Sequence, residues 1–184
     1  MASGDNTLDG MVPTLKRSAA ALRDAGIPFL VAGGVASWVR GGPSTDHDLD
    51  FLVKPEDADK ALNALVEAGL RPERPPEEWL YKAYDGDVLV DLIFNPAGLD
   101  VDDELIARGE EREVEAMTMR VIRPEDLLVS KIMAMTEHSI NYRGCLEIAR
   151  SLREQIDWDD VRRRTDSSPY GRAFFVIAEG LRIV

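Results

Sequence analysis

The chain has 184 residues, of which 45% are hydrophobic and 30% charged, and its net charge is −12. This length allows one sizeable core, or a core with a helical appendage, and excludes two full domains. The acidic balance argues against binding nucleic acid over a large surface, because such proteins neutralise phosphates with Lys and Arg.

The scarcity of cysteine and histidine and the shortness of the apolar runs argue against disulfide-bonded, zinc-binding and membrane-spanning proteins. The single cysteine, Cys145, cannot form an intramolecular disulfide, and two histidines alone provide no Cys/His zinc pattern. Residues 1–9 lack a secretory signal, and no apolar run approaches the roughly 20 residues that span a bilayer. We therefore expect a soluble, cytoplasmic protein without membrane contact, whose oligomeric state the sequence leaves open.

The first forty residues predict a helix, a strand and a second, short helix. Residues 1–12 are expected to be flexible, and Pro13 suits the first turn of a helix that Gly26 ends. An apolar run then ends in Gly33-Gly34, which is typical of a buried strand before a tight turn. The predicted elements are a helix over 13–25, a strand over 27–32 and a short helix over 35–40.

Strands dominate the next part of the chain. Asp85-Gly86-Asp87 separates two strand-like segments, which indicates a hairpin, and the Pro-rich residues 70–78 predict a loop or an irregular edge segment. The predicted elements are strands over 48–53, 80–84, 88–94 and 117–122 and a helix over 55–68.

From Pro124 onward the pattern is helical. We therefore divide the chain into a flexible N-terminus at 1–12, a core at 13–122 and a C-terminal helical region at 123–184. The predicted helices lie near 124–137, 144–154, 158–164 and 169–181.

Three aspartates form the candidate metal site. Asp48 and Asp50 share one face of their predicted strand, because alternate side chains point the same way, while Leu49 faces the core. Asp91 lies inside an apolar strand, where a carboxylate is costly to bury unless it is paired, protonated or metal-bound. If the two strands are neighbours, the three carboxylates could bind Mg²⁺ or Mn²⁺ and activate an acceptor hydroxyl.

Gly33 and Gly34 form the candidate phosphate-facing turn. Glycines at this position let the backbone approach a phosphate closely, and the following helix start offers free N–H groups. The sequence therefore predicts a phosphate site and a metal site at one end of one sheet.

Several of these and other residues also have interpretations that involve no catalysis. Asp46 to Asp50 mimics the start of a calcium loop, but Phe51 occupies the position that needs glycine. His47 is expected at the surface or behind the ligands, and Arg162 to Arg164 form either a basic patch or a solvated helix face. The tryptophans are expected in the core or at its edge; they are Trp38, Trp79 and Trp158.

These motifs resemble the nucleotidyltransferase superfamily of the polymerase-β type. Val31 to Gly34, Asp48 to Asp50 and Val90 to Leu92 carry the resemblance, which covers about residues 27–95. Residues 33–53 are similar to small bacterial antibiotic nucleotidyltransferases and to the nucleotidyltransferase toxins of toxin–antitoxin systems. The resemblance implies an α+β (α/β) fold, with a mixed, twisted sheet of about four or five strands flanked by helices and a C-terminal helical bundle.

The resemblance also implies further residues that bind the nucleotide. Lys131 matches a lysine that faces the phosphates in the toxin-like group, and Arg40 could reach a triphosphate or simply end its helix. Relatives often have Gly-Ser where this chain has Gly-Gly, and Ser37 lies one turn further on. The toxin-like Lys-Asp pair is absent from the corresponding region, 143–147.

We therefore expect an enzyme that moves a nucleoside monophosphate from an NTP to a hydroxyl. Asp48, Asp50 and Asp91 would be its catalytic and metal-binding residues. The acceptor expected from the acidic charge is a small cationic molecule such as an aminoglycoside. A toxin-like enzyme that modifies tRNA or protein, and a catalytically degenerate nucleotide-binding or interaction module, remain open alternatives.

Overall fold

The computed structural model describes residues 8–43 and 48–184. Within these residues the chain forms one mixed sheet of seven strands, with helices packed against it. The strands are β1 (Phe29–Val31), β2 (Asp48–Val53), β3 (Arg71–Glu73), β4 (Leu80–Asp85), β5 (Val88–Ile93), β6 (Glu110–Val114) and β7 (Met117–Val121). The helices are α1 (Leu8–Asp24), α2 (Gly33–Val39), α3 (Ala58–Glu67), α4 (Asp103–Arg108), α5 (Pro124–Met133), α6 (Tyr142–Leu152), α7 (Trp158–Thr165) and α8 (Pro169–Gly180).

The strand order places β2 at the centre of the sheet. From edge to edge the order is β3-β4-β5-β2-β1-β7-β6. β2 is parallel to β5 and antiparallel to β1, while β4 and β5 form the predicted hairpin. The α+β class and the mixed sheet are therefore confirmed, and the sheet has seven strands where four or five were expected.

The two strands that the sequence did not predict are the two edges of the sheet. β6 reads Glu-Glu-Arg-Glu-Val, and β3 contains Pro72 between Arg71 and Glu73. Edge strands tolerate charged residues and proline because one side of the backbone faces solvent, so the usual apolar alternation is missing. Helix α4 was also not predicted; Asp102 caps it by accepting a hydrogen bond from the backbone N–H of Leu105.

Helix α1 begins at Leu8, so the prediction that the helix starts at Pro13 is wrong. Pro13 lies inside the helix, and the apolar face extends N-terminally through Leu8 and Met11, both buried. Burial of these two side chains offsets the backbone hydrogen bond that Pro13 cannot donate. Residues 8–12 of the predicted flexible segment are therefore helical, and residues 1–7 lie outside the described part of the chain.

One hydrophobic cluster includes residues of both the sheet and the C-terminal helices. Leu30 and Phe51 of the sheet, Leu128 of α5 and Phe174 of α8 are all fully buried in it. Helices α6, α7 and α8 pack against α5, and so does α2. This packing fixes α5 against the end of the sheet where the candidate site lies.

Candidate active site

The three predicted aspartates converge at one end of the central strands. β2 and β5 are parallel, and their register pairs Asp50 directly with Asp91. Asp48 lies two residues before Asp50 on the same face, while Leu49 is fully buried on the other. One carboxylate oxygen from each aspartate lies within 4.8 Å of those of the other two. The predicted carboxylate cluster is therefore formed.

The electrostatics of the cluster favour a bound cation. Burial, and after it the charge of Asp48, raise the pKa of Asp50 to about 7, against the opposing charge of Lys131. Burial also raises the pKa of Asp91, against the hydrogen bond from Lys82. Crowded carboxylates that resist ionisation are stabilised by a divalent cation with hard oxygen ligands, so these residues fit such an ion.

Lys82 is a residue of the site that sequence reasoning missed. Its Nζ donates a hydrogen bond to Oδ1 of Asp91 over 3.1 Å. The two-residue turn after Asp85 pairs Asp85 with Val88, and the same antiparallel register pairs Lys82 with Asp91. The predicted hairpin therefore implied that Lys82 faces Asp91, because the length of the turn determines which residues of the two strands lie opposite each other.

Gly33 lies directly beside the carboxylates. Its φ is +56°, and a Cβ at this position would overlap Oδ2 of Asp50. Glycine is thus required both by the backbone conformation and by the close approach of the aspartate. Gly34 follows in the first turn of α2, which begins two residues earlier than predicted.

A cleft of about 580 Å³ opens next to Gly33 and Asp50. Lys131 of α5 lines it, as the phosphate-binding hypothesis for this lysine requires. Trp79 also lines it and is 43% exposed, so the prediction that this tryptophan lies in the core or at its edge is wrong. The backbone N–H groups of Phe94 and Asn95 donate hydrogen bonds to the Trp79 carbonyl, which fixes the backbone of Trp79 beside the end of β5. Trp38 and Trp158 pack against the core as expected.

Ser37 and Arg40 do not line the cleft, contrary to the hypothesis that they bind the nucleotide. Ser37 is buried beneath Gly42, because α2 turns this side chain towards the following loop. The Arg40 guanidinium is buried and donates hydrogen bonds to Glu110 and to the carbonyl of Ile122. Glu110 belongs to β6, which has no apolar alternation and was not predicted as a strand, so the sequence contains no sign of this pairing.

The remaining candidates lie away from the cluster or outside the described residues. Asp46 and His47 belong to residues 44–47, which the structure does not describe. Arg162 pairs with Glu179, and both Arg163 and Arg164 pair with Asp160. The arginine run is therefore an ion-paired helix face. No helix among residues 8–43 and 48–184 has the length and apolar character needed to cross a membrane.

The sequence of this chain matches the model of one protein family. The family model described as "Uncharacterised nucleotidyltransferase" matches residues 10–180. No curated protein matches the chain.

Solved structures with the same fold include two antibiotic-modifying proteins. The solution structure of the antibiotic-resistance factor ANT(2'')-Ia is 18% identical with a TM-score of 0.64, and the match covers 92% of this chain and 95% of that one. A crystal structure of ANT(2'')-Ia with adenylyl-2''-tobramycin is 18% identical with a TM-score of 0.53 and covers 90% and 97%. The lincomycin-bound lincosamide adenylyltransferase LnuA is 12% identical with a TM-score of 0.50 and covers 73% and 91%. At these identities the similarity establishes the fold.

Proposed function

This chain belongs to the family of uncharacterised nucleotidyltransferases, and from that premise we propose that it transfers a nucleoside monophosphate from an NTP–Mg²⁺ complex to a hydroxyl of a small cationic molecule. The observation that carries the proposal is the convergence of Asp48, Asp50 and Asp91 beside Gly33, with Asp50 and Gly33 lining the cleft.

The metal would be held by the carboxylates of the cluster. A divalent cation bound there would neutralise carboxylate and phosphate charge and lower the barrier to attack on phosphorus. Gly33 has no side chain, so the start of α2 can lie directly against the Asp50 carboxylate, and the exposed ammonium of Lys131 lies where it can pair with the triphosphate. These residues account for binding and orientation of the nucleotide.

Asp91 would accept the proton of the acceptor hydroxyl. The hydroxyl oxygen then bonds to the α-phosphorus, the bond between that phosphorus and the bridging oxygen breaks, and pyrophosphate leaves with the bonding electrons. Asp91 is buried and oriented by Lys82, so its position does not depend on the acceptor. Positioning of this kind contributes much of the rate of phosphoryl-type transfer.

The charge and lining of the cleft support a small cationic acceptor. Glu78 and Asp50 provide negative charge, and Trp79 with Pro96 provides an apolar surface. The only arginine run of the sequence, residues 162–164, forms ion pairs with acidic side chains. These arginines are therefore less available to bind the phosphates of RNA, which disfavours an RNA acceptor. The fold is shared with a protein crystallised with adenylyl-2''-tobramycin and with a lincosamide antibiotic adenylyltransferase, which supports a small antibiotic-like acceptor.

Calorimetric titration tests the nucleotide half of the proposal. Each of the four NTPs is titrated into the wild type and into Asp48→Asn/Asp50→Asn, with and without Mg²⁺. We expect Mg²⁺-dependent binding to the wild type and its loss in the folded double variant. Binding of equal strength to both proteins, or binding indifferent to Mg²⁺, contradicts the proposed site.

The acceptor is tested with the preferred NTP, labelled at the α-phosphate. Cationic, neutral and anionic hydroxylated small molecules are compared with tRNA and protein as acceptors. We expect label transfer to a polyamine-bearing hydroxylated compound. Transfer to tRNA or protein instead identifies a toxin-like enzyme.

A nucleotide-binding module with little catalysis is the second candidate, and one observation favours it. Asp91, the proposed base, is already engaged by Lys82. Such a module binds an NTP with Mg²⁺ but yields no pyrophosphate with any acceptor. Pyrophosphate release that depends on an acceptor separates the two functions.

A further inference from the structure

We propose that Lys82 makes the carboxylate cluster a site for a single divalent cation, because its ammonium group occupies Asp91 and leaves Asp48 and Asp50 as the ligands. This inference rests on the proposed function and specifies how its metal site is built. Lys82 is a positioning residue in this scheme, acting through Asp91.

The contact between Lys82 and Asp91 is built into the sheet. The two residues are direct cross-strand partners in the β4–β5 hairpin. The Lys82 ammonium lies 3.1 Å from Oδ1 of Asp91, and the two side chains are 24% and 11% exposed. A pair screened from solvent in this way has a stronger attraction than a surface pair. Asp91 is therefore engaged before any metal arrives.

Charge balance within the cluster points to one cation. Three carboxylates lie within 4.8 Å of one another, and the Lys82 ammonium contacts one of them. When all three carboxylates are ionised, as a bound cation favours, three negative charges and the one positive charge of Lys82 leave two negative charges, which a single divalent ion neutralises. A second divalent ion would have to displace the ammonium from Asp91 or bind next to it, and like charges at such short range repel strongly.

The arrangement separates two tasks among three chemically identical side chains. Asp48 and Asp50 belong to one strand and have no basic partner among the ion pairs of the described residues, so their oxygens are available to a metal. Asp91 accepts a hydrogen bond from Lys82 through one oxygen and keeps the other for the acceptor's proton. Lys82 thereby reserves Asp91 for proton transfer.

Mn²⁺ titration followed by electron paramagnetic resonance tests the inference without measuring activity. The proteins are the wild type, Lys82→Met, which removes the charge and keeps an unbranched side chain one atom shorter, and Lys82→Arg, which keeps the charge. We expect one Mn²⁺ per chain for the wild type and for Lys82→Arg. For Lys82→Met we expect a second Mn²⁺ that binds at least tenfold more tightly than any second ion in the wild type.

Lys54→Met is the matched control. Lys54 is also a partly buried, ion-paired lysine, and its partners Glu56, Asp57 and Asp103 lie outside the carboxylate cluster. We expect this variant to bind one Mn²⁺, as the wild type does. Circular dichroism and thermal unfolding of each variant check that the number of bound Mn²⁺ ions is measured on folded protein.

The outcomes separate this inference from the proposed function. Two Mn²⁺ ions on the wild type, or one ion with unchanged affinity on Lys82→Met, overturn the role of Lys82 and leave the nucleotidyltransferase proposal intact. No Mn²⁺ on the wild type, even with an NTP present, overturns both.

Discussion

At the scale of single residues, Gly33 combines a left-handed backbone with a close approach to a carboxylate. We predict that Gly33→Ala loses Mg²⁺-dependent NTP binding, because the added Cβ would displace Oδ2 of Asp50. Its unfolding free energy should also fall by about 1 kcal/mol or more, from the positive φ and the overlap. Calorimetry and denaturant unfolding measure the two effects.

Gly26→Ala separates backbone strain from the effect on the site. Gly26 has a similar φ of +68°, but no atom lies within 4 Å of the Cβ that alanine would add. This variant should lose a similar strain energy and retain NTP binding. If both variants bind NTP like the wild type, Gly33 is not required at the site.

The only cysteine offers a second prediction at this scale. Burial raises the pKa of the Cys145 thiol to about 11, although the charge of Lys131 acts in the opposite direction. Since the thiolate is the reactive form, Cys145 should react with a disulfide reagent at pH 8 far more slowly than a free thiol. Addition of denaturant should bring the rate to that of an unfolded peptide. Fast reaction of the folded protein would contradict the burial of this side chain.

At the scale of elements, Arg40 and Glu110 connect helix α2 with the edge strand β6. Burial tends to raise the pKa of Glu110, but hydrogen bonds from Arg40 and Arg112 outweigh it and hold the pKa below the usual 4.5. A carboxylate with a lowered pKa in the folded state stabilises the protein above its unfolded pKa. That stabilisation is lost as the pH falls through the folded pKa.

We therefore predict that Glu110→Gln lowers the unfolding free energy at pH 7 and that the difference from the wild type shrinks as the pH falls below 4.5. Urea unfolding of both proteins at several pH values measures it. The exposed pair Arg143 and Glu147 provides a control, since Glu147→Gln should change stability little at any pH. A difference for Glu110→Gln that is independent of pH contradicts the role of this pair.

At the scale of the whole molecule, Asp126 connects the sheet region with the C-terminal helices. Arg108 of α4 and Arg164 of α7 both donate hydrogen bonds to this carboxylate, which is 2% exposed. Removing the charge of Asp126 leaves the two arginines without their shared partner, which is costly for a buried ion pair. We predict that Asp126→Asn lowers the unfolding free energy by about 3 kcal/mol.

The same variant addresses the predicted division between residues 13–122 and 123–184. Because one hydrophobic cluster spans both parts, the wild type and Asp126→Asn should each unfold in one cooperative transition. Glu179→Gln, which breaks the exposed pair with Arg162, should change stability by less than about 1 kcal/mol. Two separate transitions in calorimetry would show that the parts fold independently.

The sequence by itself determined the features that depend on neighbours along the chain. The period of two in a strand places Asp48 and Asp50 on one face, and the apolar run before Gly33 marks the first strand. The five predicted strands are all present, as the structure confirms. Each depends on side-chain alternation or turn chemistry over a few residues, which a single sequence contains.

Only the tertiary structure decided which distant residues meet. Periodicity does not specify that β5 lies beside β2, so the approach of Asp91 to Asp50 remained conditional until the register was known. The charged edge strands form because a neighbouring strand supplies their hydrogen bonds. Without β6, the sequence gives no sign of which residue pairs with the buried Arg40. The pattern of apolar residues along the chain shows the side-chain period of each strand or helix. Which strands and helices pack together depends on the apolar surface that the whole core buries.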